Sequence, residues 1–175
     1  MVYQETRDGN WRLRPGVEAD HPKLDRIRTE GIASYRSFAP AGWEPPEPNP
    51  AVVAARMLDP DHWVTVAEDD SAEIVGYVAA GPAMSGWSEG EPIPGTAYLW
   101  QLFIDLAHHR RGIGHDLQKC AFDEMRRRGY RRALVRMASG AEQACVFYEA
   151  TGWRVIDEIH DELMGMPTLV AERRL

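Results

Sequence analysis

The sequence predicts a mixed α/β fold of the α+β kind, built as a single domain over residues 1–175. Three observations predict it. The 175 residues fit one core, and no linker or repeat divides them. Segments of strand alternation and of helical spacing succeed one another along the chain in the order β-α-α-β-β-β-α-β-α-β-β. One stretch, Ala97–Leu106, is apolar almost throughout and is expected at the centre of a sheet.

Residues 1–9 read as a polar arm, and Trp11–Arg14 alternates as a first strand. Leu24, Ile27, Ile32 and Tyr35 supply the apolar positions of a helix over about 19–37. Five prolines and one glycine in the twelve residues 39–50 make a loop, with a second helix expected at about 51–58. His62–Ala67 and Glu73–Ala80 read as a hairpin joined by the polar turn at 68–72. A second Pro/Gly-rich loop is expected over 82–96, ahead of the central strand. A helix then runs from about 112 to 128 and stops at Gly129. Arg126, Arg127 and Arg128 sit in its last turn, where cations complement the helix dipole. Arg131–Met137 is the next strand. Ser139 and Glu142 have the spacing of a capping box opening a helix that Gly152 ends. Trp153–Ile159 and Thr168–Arg173 are the closing strands.

Composition narrows the function. A formal net charge of −7 disfavours a general binder of nucleic acid or of anionic membranes. Cys120 and Cys145 lie in apolar helical contexts, so neither a disulfide framework nor a reactive thiol is expected. The first residues, MVYQETRDGN, show no apolar signal core, and no stretch approaches the ~20 apolar residues of a membrane span. A cytoplasmic protein is expected.

The strongest chemical signal is the passage from the apolar strand through His108-His109-Arg110-Arg111-Gly112-Ile113-Gly114-His115 into a helix. Gly112 and Gly114 let backbone N–H groups approach an anion without a Cβ in the way. The helix start adds roughly half a positive charge. Arg110 and Arg111 add full charges, and the histidines add donors. A diphosphate suits such a turn. Neither the Walker nor the dinucleotide pattern fits, because no Gly-Lys-Ser/Thr follows and position 117 is Leu117. The histidine spacing matches no standard zinc pattern, so no metal is expected.

This segment resembles the acetyl-CoA signature of the GNAT superfamily of N-acetyltransferases, a strand followed by Arg/Gln-x-x-Gly-x-Gly/Ala and a helix. The likeness extends over about 11–173. His109 stands at the first motif position and Leu106 where the family often has proline. The resemblance implies a mixed, mostly antiparallel central sheet flanked by helices, with a splayed strand pair at the cofactor site. It implies acetyl-CoA as cosubstrate, its pantetheine arm against the backbone of Leu102, Phe103 and Ile104. Its pyrophosphate would lie against His109, Arg110, Arg111, Gly112, Ile113, Gly114 and His115. A homodimer follows only by family analogy.

Ala144-Cys-Val-Phe-Tyr-Glu-Ala-Thr-Gly-Trp153 is similar to a second family segment, whose tyrosine protonates the departing CoA thiolate. Here that residue is Tyr148. Adjacent helical residues point about 100° apart, so Phe147 is expected in the core and Tyr148 in the cleft. Proton transfer from a tyrosine of pKa about 10 to a thiolate of pKa about 8.5 is uphill by roughly 2 kcal/mol, so a strengthening hydrogen bond suffices. Ala141 stands where the family often has a cofactor-binding asparagine, leaving that contact absent or supplied by Ser139.

An alkylamine is only about 0.04% neutral at pH 7, a cost of about 4.6 kcal/mol. No residue identifies itself as the base. Gln101, on the central strand, is a candidate for positioning a water. Glu44, Glu47, Glu89 and Glu91 lie in the two loops, with Trp43 and Trp87 as a candidate aromatic wall for a cationic acceptor. The leading expectation is acetyl transfer to a primary amine, of a small molecule or a peptide, by direct attack in a ternary complex. The alternative is a non-catalytic acyl-CoA-binding or regulatory module. A nucleic-acid partner for the arginines at 126–132 is a third reading, with a solvated helix end favoured over it.

Overall fold

Two apolar faces alternate along residues 74–84, and this alternation sets the layers of the computed structural model. It describes residues 4–5, 11–47, 55–56, 59–87 and 90–175. Val78 and Ala80 pack on one side of the sheet with Leu99, Val135 and the helix residues Leu117, Ala121 and Met125. Tyr77 and Ala79 pack on the other side with Leu24, Ile27 and Val66. A strand with both faces buried must be central.

The strands are β1 (Gln4–Glu5), β2 (Trp11–Pro15), β3 (Trp63–Asp69), β4 (Ile74–Met84), β5 (Pro92–Ile104), β6 (Arg132–Ala138), β7 (Arg154–Asp161) and β8 (Met166–Arg174). Among the described residues they form one sheet in the order β1-β2-β3-β4-β5-β6-β8-β7. Only β5 and β6 pair in parallel. The helices are α1 (His21–Ala33), α2 (Ile113–Arg127) and α3 (Glu142–Ala150). The expected mixed, mostly antiparallel sheet flanked by helices is the architecture observed.

The parallel ladder is short. It runs from Thr96 opposite Arg132 to Leu99 opposite Val135 and then ends. β5 nevertheless continues to Ile104 and β6 to Ala138. On its other edge β5 stays paired with β4, but Ala80 faces Leu99 while Ala79 faces Gln101. Trp100 is therefore an extra residue, and such a bulge bends its strand. The two strands splay from that point.

Several elements differ from the sequence reading. The polar arm contains β1, which pairs with β2 through Gln4 and Leu13. The single helix over 19–37 is α1 flanked by 3-10 turns at Glu18–Asp20 and Ser34–Ser37. The helix over 51–58 lies mostly outside the described residues, although Ala55 and Arg56 are helical. Much of the loop expected over 82–96 is strand. Pro82 sits past the last β3 pairing, at Ala80, and Pro92 sits before the first β6 pairing, at Thr96. A missing N–H removes no ladder bond at such open edges. The capping box is absent. α3 begins at Glu142 with Ala141 as N-cap and no side-chain cap. The Ser139 hydroxyl instead donates to the Pro167 carbonyl at 3.1 Å.

An ion network ties β2, β3 and the start of α1 together. Arg14 donates to both Asp20 oxygens at 2.7 and 2.8 Å and to Glu68 at 2.7 Å. Arg12 donates to the other Glu68 oxygen at 3.0 Å. The Arg14 hydrogen bonds, helped by the Val17 amide, hold the Asp20 carboxyl below its ordinary range against the opposing effect of burial. A lowered folded pKa stabilises the fold above the unfolded value, and that stabilisation is lost as pH falls toward the folded one. Arg14→Met strands the buried Asp20 carboxylate and leaves Glu68 with Arg12 alone, and is expected to cost about 3 kcal/mol, read by denaturant unfolding. Asp20→Asn is expected to flatten the loss of stability below about pH 4. An unchanged acid limb would contradict this account of the network.

Candidate active site

After β5 the chain makes a tight 3-10 turn at Leu106–His108, capped by the Asp105 carboxylate accepting from the Ala107 amide at 3.0 Å. Burial pushes the Asp105 pKa up, but that amide, His108 and Arg26 outweigh it and hold the group ionised. The His109 ring nitrogen Nε2 lies 3.0 Å from the Ile104 carbonyl, binding the turn back to the end of β5. Arg110 and Gly112 then adopt left-handed backbone, with φ of 62° and 94°. Left-handed residues so close together curl a chain in the way that gathers N–H groups into an anion-binding concavity.

Gly112 is the N-cap of α2. Only the Trp11 ring, 3.8 Å away, lies near a Cβ placed there, so the dihedral rather than the space demands glycine. The Trp11 indole donates to Asp116 at 3.0 Å and holds the first turn of α2 against β2. The amides of His115 and Asp116 are taken by the Gly112 carbonyl. Those of Ile113 and Gly114 have no protein acceptor among the described residues, and Arg110 has no ion-pair partner there. The turn thus presents unpaired N–H groups and a guanidinium at the positive end of a helix, as a phosphate site requires.

The opposite wall comes from α3. Phe147 lies edge-on to His115, with centroids 5.0 Å apart, and its ring is 3.6 Å from a Cβ placed on Gly114. Tyr148 is the more deeply buried of the two, 8% exposed, with its ring against Phe147 and Trp153. Phe147, expected in the core, faces the α2 turn, and Tyr148, although it lines the cleft as expected, lies deeper. The Tyr148 hydroxyl makes no hydrogen bond among the described residues. Burial, with the hydroxyls of Tyr35 and Tyr98 adding to it, raises its pKa well above the ordinary value and keeps it protonated.

Between these walls runs a groove of about 1180 Å³, somewhat larger than the usual small-ligand site. Leu102, Phe103, Ile104, His109, Arg110, Gly112, Ile113, Gly114, His115 and Tyr148 all line it. Arg111 does not; it is exposed, and its guanidinium lies 3.5 Å from the Ala107 carbonyl. The structure does not bring Gln101 together with Tyr148 either. Its amide oxygen accepts from the Tyr77 hydroxyl at 3.0 Å, in a separate cavity of about 10 Å³ under α1.

The loop carboxylates are also elsewhere. Glu44 pairs with Arg36, Glu47 and Glu91 are exposed, and Glu89 lies outside the described residues. Trp43 donates to the Met164 carbonyl. Trp87 packs on Tyr98 with the Arg136 guanidinium over its face. The two tryptophans belong to different clusters and form no common wall. Ser139, committed to Pro167, does not line the groove. Burial pushes the Cys120 and Cys145 thiols up. Arg126, Arg127 and Arg128 pair with Asp123 and Glu124 on their own helix. No cluster of metal-ligating side chains exists among the described residues, and no helix there is long and apolar enough to cross a membrane.

Sequence reasoning missed the third wall, formed by Gly31, Tyr35 and Phe38 at the end of α1. A Cβ at Gly31 would stand 2.6 Å from the Phe103 ring, and one at Gly140 would stand 2.5 Å from Phe38. Both glycines mark close approaches across the groove, a signal present in the sequence but readable only once the partners are known.

Comparison with known proteins agrees with this geometry. The model of the acetyltransferase (GNAT) family matches residues 29–153. A search of curated protein sequences finds no match. Among solved structures, ribosomal-protein-alanine N-acetyltransferase from Brucella melitensis superposes with a TM-score of 0.70 at 19% identity, covering 93% of this chain and 99% of that one. The PaiA N-acetyltransferase from Thermoplasma acidophilum, in complex with coenzyme A, gives 0.70 at 15% identity over 94% and 99%. A phosphinothricin acetyltransferase from Sinorhizobium meliloti, in complex with acetyl-CoA, gives 0.72 at 17% identity over 100% and 89%. The family match spans well over half of the sequence, and the chain belongs to the acetyltransferase (GNAT) family, as an acetyl-CoA-dependent acyltransferase.

Proposed function

We propose that the protein transfers an acetyl group from acetyl-CoA directly to a primary amine, with Tyr148 assisting departure of the thiolate. One observation carries this reading. The unbonded Tyr148 hydroxyl and the unpaired amides of Ile113 and Gly114 line the same groove. The amides and Arg110 hold the pyrophosphate, while the β5 backbone left unpaired beyond Leu99 receives the pantetheine arm. Arg111, outside the groove, adds long-range charge without direct contact. Gln101 is assigned no reacting role; it holds Tyr77. A cytoplasmic location and one catalytic domain over the whole chain belong to the same reading.

In the transfer, the neutral amine nitrogen attacks the thioester carbonyl. The C–N bond forms, the C–S bond breaks, and the nitrogen loses a proton to solvent water. The departing sulfur accepts a hydrogen bond from the Tyr148 hydroxyl. The raised pKa makes full proton transfer less favourable than for an ordinary tyrosine, so the hydroxyl acts as a buried donor that strengthens its bond as charge grows on sulfur.

Three outcomes test the reading. Tyr148→Phe is expected to lower kcat about 100-fold, with KM for acetyl-CoA unchanged. The melting temperature should not fall, because the hydroxyl satisfies no protein partner; full kcat in the variant would remove the role. Gly112→Ala forces a side chain into left-handed backbone at a cost of about 1–2 kcal/mol. It is expected to raise KM for acetyl-CoA about tenfold, measured by initial rates and calorimetry. The pH profile of kcat/KM should climb with amine deprotonation and show no descending limb below about pH 10, because Tyr148 stays protonated there. Tight acetyl-CoA binding without turnover across a broad amine panel would instead identify a non-catalytic acyl-CoA-binding module.

A further inference from the structure

The sheet face opposite α2 carries charged and aromatic side chains that the acyl-transfer groove does not use. Tyr98 points there, because its neighbours Ala97 and Leu99 face the α2 core. Arg136 donates to the Tyr98 hydroxyl at 2.9 Å and pairs with Asp161 at 3.0 Å. Its guanidinium lies 4.7 Å from the Trp87 centroid. Arg56 lies 4.9 Å over the Trp100 ring on the same strand. Arg56 is only partly exposed and makes no hydrogen bond or ion pair among the described residues. Two guanidinium groups thus converge beside Tyr98, and among the described residues only one has a carboxylate.

Building on the function proposed above, we infer that Arg56, seated on Trp100 beside the Tyr98–Arg136 pair, binds the carboxylate of the acceptor. The acceptor class is then a small amino acid rather than a simple amine. Three considerations favour this. A guanidinium held on an aromatic face keeps its N–H edges available and matches a carboxylate with two hydrogen bonds. The Trp87 face already holds a cation, so the aromatic surface there does not suit a cationic ligand. Burial, with Arg136 adding to it, lowers the Arg56 pKa, the effect of a cation lacking an anion, although Tyr98 opposes it.

The position also suits the chemistry. Tyr98 lies next to Leu99 and Arg136 next to Val135, the last residues of the parallel ladder. The bonded Tyr98–Arg136 pair therefore flanks the point where β5 and β6 part. An amino acid anchored by its carboxylate at Arg56 presents its amine toward that opening. The product is the N-acetyl amino acid with free CoA.

The test compares amino acids with their decarboxylated amines, tryptophan with tryptamine and leucine with isoamylamine among them, as acceptors for the full chain. The wild type is expected to favour the carboxylated member of its best pair by at least about tenfold in kcat/KM, worth about 1.4 kcal/mol. Arg56→Gln should bring that ratio near unity through KM, and Arg56→Lys should retain part of it. Calorimetry should show unchanged acetyl-CoA binding in both variants, which excludes misfolding as the cause. A wild-type preference for the decarboxylated amine, or a ratio that survives Arg56→Gln, overturns the inference. If no acceptor of either kind is acetylated, the transfer reading fails. The carboxylate site is then judged by quenching of the Trp87 and Trp100 fluorescence on titration with leucine against isoamylamine. Quenching by leucine alone that is lost in Arg56→Gln upholds the site, and its absence overturns it.

Discussion

β5 and β6 share hydrogen bonds only as far as Leu99 and Val135, and the groove exists because they stop there. Adjacent strands lie about 4.8 Å apart while they pair. A longer ladder would close the space that an acyl chain needs. The extra residue at Trp100 bends β5 away, while pairing with β4 on its other edge keeps the bent strand in the sheet. Separation leaves backbone groups of β5 without a strand partner inside the molecule, a costly state unless a ligand or water satisfies them. The same separation aims the end of β5 at the turn that opens α2. Strand, phosphate turn and tyrosine helix are therefore three consequences of one interrupted ladder.

Rigid packing holds the opening at a fixed width. Trp11 bonds Asp116 and abuts Gly112, so β2 supports the first turn of α2 from outside. Arg14, Asp20 and Glu68 tie β2 and β3 to the start of α1. Phe103 and Phe38 occupy the space left by Gly31 and Gly140, bringing the end of α1 against β5 and the loop before α3. The left-handed dihedral at Arg110 costs of order 1–2 kcal/mol, and this surrounding structure supports it. Strain placed beside unpaired amides fits a turn organised before its ligand arrives.

The parts legible in the sequence are those set by local chemistry. Gly112 and Gly114 between a basic run and a helical spacing defined the turn, and the apolar run at 97–106 defined the central strand. Other features were decided by partners far along the chain. Ser139 and Glu142 satisfy the spacing of a capping box, but pairing of Ala138 with Thr168 brings the Pro167 carbonyl within reach of the serine. Pro82, Pro92 and Pro94 read as loop because edge exposure is not written locally. The 100° between Phe147 and Tyr148 said that they diverge, not which one goes deeper; Trp153 and the α2 turn decided that. Gln101 read as a cleft residue because its neighbour on the strand lines the cleft, yet the bulge and the pleat aim it at Tyr77.

Charge is distributed in a way that separates the two substrates. The chain is acidic overall, at −7, so neither an acidic cofactor nor an acidic acceptor gains from its long-range field, which salt screens beyond about 8 Å in any case. Recognition must be local. Along the helix that leads away from the phosphate turn, carboxylates neutralise the arginines within a turn or so. Among the described residues Arg110 and Arg56 keep unpaired guanidinium groups, one in the large groove and one on the opposite face of the sheet. Arg56, only partly exposed, has lost hydration without gaining a carboxylate among the described residues. Such a position is most readily explained by an anion that arrives with the ligand. In the proposed reading the cofactor's phosphates and the acceptor's carboxylate are held by separate guanidinium groups, which allows both substrates to be bound before the acyl group moves.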